Sequence, residues 1–170
     1  MNTPPDRSET AEYYFTYINQ VPSGDIREIL EAQAGETVSL LHGISNEQSL
    51  HRYAPEKWSI REAVSHINDT ERVFVFRAFW FARGLGGELP SFNQNVAVVA
   101  ARAGARSWAS HVEEFQAVRS ATLAFWNGIA SDAWDRRGIA SGNPFTVRAL
   151  AWITAGHVKH HLRLLRERYL

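Results

Sequence analysis

His157 and His161 stand four residues apart in the run Gly156-His157-Val158-Lys159-His160-His161. On a helix that spacing puts both imidazoles on one face, about 6 Å apart along the axis, where they can share one metal ion. The pair alone is a weak signal, because seven histidines in 170 residues produce such spacings by chance. Context strengthens it. Both histidines lie amid Ala151, Val158, Leu162 and Leu165 on the side expected to face a core, where imidazoles without partners are costly. His66 falls at a core-side position among Ala63, Val64 and Ile67. A bundle that brings the two segments face to face assembles three neutral imidazoles and leaves coordination positions open, as in a catalytic metal site. The competing reading is three hydrogen-bonded core histidines.

Other candidates carry less. Asp69 lies three residues after His66 and shares its side of a helix. It can orient a ligand, accept a proton, or pair with Arg72, and the salt bridge is the favoured reading. Glu62 is spent on a helix cap. His160 lies about 100° around the helix from His161 and is expected to face solvent or the groups that surround the ligands. His42, His51 and His111 read as surface residues, and the six tryptophans as core more than substrate wall. No phosphate loop or nucleophile elbow is present.

These residues need a scaffold. Residues 1–170 read as a single all-α domain, with residues 1–10 a loose N-terminal arm followed by an aromatic cluster from Tyr13 to Tyr17. Apolar residues at steps of three and four predict helices near 26–43, 59–84 and 107–128, and a last one near 145–168. Ser59 and Glu62 form a capping-box pattern for the second, and Asn143-Pro144 predicts the start of the last. Residues 95–102 read as a short helix. The stretch Val73–Phe81 is apolar on nearly every side, which predicts burial on two faces or a dimer contact.

Composition narrows the chemistry. With no cysteine there is no disulfide, thiolate zinc site or cysteine nucleophile, so any metal is held by nitrogen and oxygen. Eighteen basic against eighteen acidic side chains argue against a protein devoted to nucleic acid. The charges are unevenly spread: residues 1–56 carry nine acids and three bases, and residues 131–170 three acids and seven bases. Acidic and basic helices packed side by side or against another subunit account for this, and the alternative is a basic binding surface for an acidic ligand. No apolar run approaches a membrane span and no signal peptide opens the chain, so the expected location is cytoplasmic.

Taken together, Trp58-Ser59-Ile60-Arg61-Glu62, His66-Ile67-Asn68-Asp69-Thr70-Glu71-Arg72, Phe79-Trp80-Phe81-Ala82-Arg83-Gly84, Leu89-Pro90-Ser91-Phe92 and the closing Ala155–Leu162 stretch resemble the DinB superfamily. The likeness spans about residues 10 to 170. It implies an up-down-down-up four-helix bundle with a long crossover between helices 2 and 3. It also implies one divalent metal ion, nickel or zinc, held by His66, His157 and His161, and a homodimer. Relatives in that family activate a low-molecular-weight thiol for transfer or isomerisation. The expected function is therefore metal-dependent S-transfer on a small-molecule substrate, with Asp69 a weak candidate for proton transfer and the sulfur supplied by a cofactor. The alternatives are a hydrolase using metal-bound water and a non-catalytic metal-binding stress-response dimer.

Overall fold

The structure is a computed structural model that describes residues 3–170. Four long helices form a bundle: α2 (Ile26–His42), α3 (Ile60–Ala82), α5 (Trp108–Asn127) and α6 (Val147–Leu164). A short α1 (Phe15–Ile18) precedes them, and α4 (Gln94–Ala101) lies in the α3–α5 connection. Helix α3 packs against α5 and α6, and α2 packs against the same two, so α2 and α3 sit diagonally across the bundle. The long crossover between the second and third bundle helices is present as residues 83–107.

The Ser59–Glu62 capping box forms as its spacing demands. Ser59 Oγ accepts the Glu62 backbone N–H at 3.3 Å, and the Glu62 carboxylate accepts the Ser59 N–H at 2.7 Å. The start of α6 differs from expectation. Asn143 and Pro144 belong to a strand, β2 (Asn143–Thr146), paired antiparallel with β1 (Arg137–Ala140). Ser141 and Gly142 make the two-residue turn with φ of 53° and 70°, the positive pair that such hairpins require. The cap of α6 is Thr146, whose Oγ1 accepts the Ala149 N–H at 3.0 Å.

The described part of the N-terminal arm is tied down at Glu9, contrary to expectation. Glu9 is 4% exposed, accepts from Thr146 Oγ1 at 2.7 Å and pairs with Arg148. Met1 and Asn2, also within the expected loose arm, lie outside the described residues. Glu36 likewise pairs with Arg166, so the acidic first third does meet the basic last third.

The apolar core has two parts. One gathers Ile26, Leu30, Trp126, Phe145 and the Ala149–Ile153 stretch; the other gathers Leu41, Ile60, Val64, Ile67, Phe115, Val158 and Leu162. Along α6 the change falls between Ala155 and Val158, and along α3 between Ile67 and Phe74. Polar groups occupy that seam. Phe74, Ala78 and Phe81 point into the core, whereas Phe76 and Phe79 on the same helix stay 49% and 39% exposed.

Gly156 lets α1 and α6 touch. A Cβ there would meet the Tyr17 carbonyl oxygen at 2.2 Å, a distance only backbone movement can relieve. Gly156→Ala is expected to cost about 1–3 kcal/mol, the usual range for overpacking. Chemical denaturation would read it as a lowered midpoint at unchanged m-value.

Candidate metal centre

The three histidines meet at the seam. Helix α3 supplies His66, and α6 supplies His157 and His161 one turn apart. His157 Nε2 lies 3.1 Å from His66 Nε2 and 3.1 Å from His161 Nε2. One ring nitrogen from each of the three lies within 4.8 Å of those of the other two. His66 and His157 are buried and His161 is half-buried.

Thr70, one turn after His66, has its Oγ1 3.2 Å from His66 Nδ1. With Nδ1–H donating to that hydroxyl, the Nε2 lone pair is left facing the other rings. Trp58 lies against His66 with ring centroids 4.8 Å apart, and the Tyr169 hydroxyl donates to the Trp58 carbonyl at 2.7 Å. Tyr17 and Phe74 meet His157 edge-on at 5.4 and 5.8 Å. Aromatic surface thus walls the triad on several sides, and Trp58 is a wall of the site where the sequence suggested core.

Burial holds the His66 pKa down to about 4, and it places His157 and His161 well below the usual imidazole range, with the neighbouring rings adding to the effect. All three are neutral at pH 7 and have lone pairs to offer. The donor set suits a divalent ion. Nitrogens 2.0–2.1 Å from a common ion stand about 2.9 Å apart at right angles and about 3.3 Å apart at the tetrahedral angle, which brackets the two 3.1 Å separations.

Acidification of the metal-free protein has a definite sign. Unfolded histidine takes up a proton below about pH 6.5, whereas folded His66 resists until about pH 4. The unfolded state therefore binds more protons in that window, and stability falls as pH drops through it. His66 alone accounts for about 3 kcal/mol by pH 4. Urea midpoints measured between pH 7.5 and pH 4.5 should fall steadily, and less steeply in His66→Asn.

Asp69 is not brought to the triad. Its carboxylate accepts from Arg72 at 3.2 Å, and Arg72 also reaches Glu114 at 2.7 Å, so the salt-bridge reading is the one the structure contains. His111 is fully buried instead of lying at the surface, with Nε2 3.0 Å from the Ala103 carbonyl. It sits one turn from Trp108, on the inward stripe of α5 together with Val112 and Phe115. His42 and His51 are exposed as expected, and His160 is half-buried with its ring edge-on to Tyr17.

A buried polar group went unnoticed in the sequence. Arg119 of α5 makes two 2.8 Å bonds to the Glu71 carboxylate of α3, and its Nη1 donates to Leu30 O and Gln33 Oε1 of α2. Gln33 then donates to Ala155 O of α6 at 2.8 Å, so one polar layer touches all four bundle helices. Its one available signal was charge inside otherwise apolar helical stripes.

Two clefts reach the triad. One, of about 460 Å³, runs to His157 past Tyr14, Tyr17, Thr70, Phe74 and Arg77. The other, of about 270 Å³, runs to His161 past Tyr53, Trp58, Leu164 and Tyr169. They share no lining residue.

The fold resembles that of the mycothiol-dependent maleylpyruvate isomerase, with a TM-score of 0.69 at 11% identity over 81% of this chain and 58% of that chain. A mutant of the same isomerase superimposes with a TM-score of 0.68. The chain thus spans a little over half the length of that enzyme. YfiT from Bacillus subtilis, described as a probable metal-dependent hydrolase with an unusual four-helix bundle topology, gives a TM-score of 0.62 at 14% identity over 97% of this chain and 93% of its own. No match is found among curated protein sequences. The DinB superfamily model matches residues 29–165, a span that holds all three histidines and nearly all of the four bundle helices, and the chain belongs to that superfamily.

Proposed function

We propose that the protein is a metal-dependent enzyme in which His66, His157 and His161 hold one nickel or zinc ion, and that it transfers the sulfur of a small-molecule thiol. The observation that carries this reading is the convergence of three neutral imidazoles where two separate clefts end. A divalent ion held there lowers the pKa of a coordinated thiol, so that its deprotonated form is available near neutral pH. The chain has no cysteine, so the thiol comes from a cofactor. Two clefts give thiol and electrophile separate approaches.

The protein's own residues do the rest. Thr70 fixes the orientation of the His66 ring, while Trp58, Tyr17 and Phe74 exclude water from the imidazoles and lower the local dielectric. The second reading is hydrolysis of a small substrate, which the printed description of YfiT favours. It needs a general base at the reacting water, and among the described residues no carboxylate joins the three histidines. S-transfer is preferred for that reason.

The up-down-down-up course of the bundle belongs to the same reading, as does a cytoplasmic location; among the described residues no helix is long and apolar enough to cross a membrane. So does a homodimer, for which the uncovered Phe76 and Phe79 offer an apolar face. The test is direct. Protein loaded with nickel or zinc is incubated with bacillithiol, mycothiol or glutathione and a panel of electrophiles. Thiol consumption is expected with the loaded protein and not after chelation. Equal rates in both overturn the reading, and ester hydrolysis without thiol moves it to the hydrolase.

A further inference from the structure

Three arginines in the bundle are almost completely buried, and their partners differ. Arg61, 4% exposed, bonds through Nε to Ser49 Oγ, through Nη1 to the Arg106 carbonyl and through Nη2 to Asn46. Arg119, 1% exposed, likewise uses every nitrogen and faces the Glu71 carboxylate. Arg77, also 4% exposed, bonds through Nη2 to Pro90 O at 3.1 Å and Ser141 Oγ at 2.8 Å, and it also hydrogen-bonds the Tyr14 phenol. The Phe145 ring centroid is 5.8 Å from its guanidinium carbon, and no carboxylate of the described residues pairs with it. Every partner the guanidinium has in the protein is therefore neutral, unlike the Glu71 carboxylate that faces Arg119. A cation this buried with only neutral partners is costly, and Arg77 lines the larger cleft.

The same cleft ends at His157. Along α3, His66, Thr70, Val73 and Arg77 follow at steps of four, three and four, which makes one stripe down the helix. Arg77 stands about 16 Å of helix rise from His66 along the same stripe. Pro90 and Ser141 hold the guanidinium in place before any ligand arrives. Tyr14 and Phe74 supply flat apolar surface between the two ends of the cleft.

We propose that Arg77 is a specificity-determining anchor that binds the carboxylate of a small organic acid whose other end reaches the three histidines. The proposal rests on the triad being the reaction centre, and it names the substrate class: an acid, not a neutral electrophile. Ser141 and Pro90 are positioning residues for the anchor.

The test compares benzoate with benzamide, which has a similar shape and no charge, by calorimetry on the full-length protein, both metal-loaded and chelated. Chelated wild-type protein is expected to bind benzoate at least tenfold more tightly than benzamide, and Arg77→Met to erase the difference. Arg77→Met should retain the wild-type metal content, which keeps the anchor separate from the triad. Wild-type protein that holds no metal yet prefers benzoate would sink the triad reading alone. The Arg77 Nε–H resonance gives a readout that needs no variant: it should move on benzoate addition. Equal or absent binding of the two probes overturns the proposal. So does an unshifted Arg77 resonance with benzoate bound, or an Arg77→Met protein that keeps the preference.

Discussion

Replacing His157 by alanine is expected to abolish the thermal stabilisation that nickel or zinc gives the wild-type protein. A ligand that binds only the folded state at one hundred times its dissociation constant contributes about 2.7 kcal/mol. For a domain of this size that is a rise in Tm of about 5–10 °C. His157 is the central member of the triad, 3.1 Å from each neighbour, so its loss leaves His66 and His161 as an incomplete pair. The variant should also lose bound metal by elemental analysis. Scanning calorimetry with and without the ion separates this loss from simple destabilisation, since truncating a buried ring lowers both curves whereas losing a ligand removes the gap between them. A variant whose Tm still rises with metal as in the wild type would contradict the ligand assignment.

The second large effect is away from the triad. Glu71→Ala strands the Arg119 guanidinium at 1% exposure with no carboxylate, and breaking a buried pair from one side typically costs about 3–5 kcal/mol. The melting temperature should fall by about 6–20 °C. The double variant Glu71→Leu, Arg119→Met removes both charges and should recover most of the loss, because burying two apolar side chains avoids the desolvation cost of the ions. Equilibrium urea unfolding of Glu71→Leu, Arg119→Met and the double variant gives the coupling directly. A Glu71→Ala protein within about 1 kcal/mol of wild type would show that the pair does not hold the core.

Much of this was legible from spacing. The four bundle helices, the Ser59–Glu62 box and the inward histidines all follow from apolar periodicity and local hydrogen bonding, which a single segment carries in itself. What stayed hidden depends on distant partners. Asn143-Pro144 is a sound helix start in isolation; the Ser141-Gly142 turn and the pairing with Arg137–Ala140 place it in a strand. His111 read as surface because its neighbours Ser110, Glu113 and Glu114 are polar, yet the helix turns it inward beside Val112 and Phe115. Glu9 read as part of a free arm, and only Thr146 and Arg148, far along the chain, tie it down. Periodicity places His66 and His157 inside without saying that they touch; their meeting was one of two readings, and the resemblance chose between them.

The layer of Glu71, Arg119, Gln33 and the Ala155 carbonyl lies just beyond the histidines along the bundle. Apolar side chains tolerate sliding, since one leucine seam fits another after a shift of one turn, whereas a two-pronged carboxylate–guanidinium contact does not. The layer therefore acts as a vernier for helix alignment. Any slip of α3 against α6 that would scatter the imidazoles also disturbs this layer, and a chain assembled out of step is penalised before it can hold an ion in the wrong place. Correct assembly and a competent site are, in this bundle, checked by the same few polar atoms.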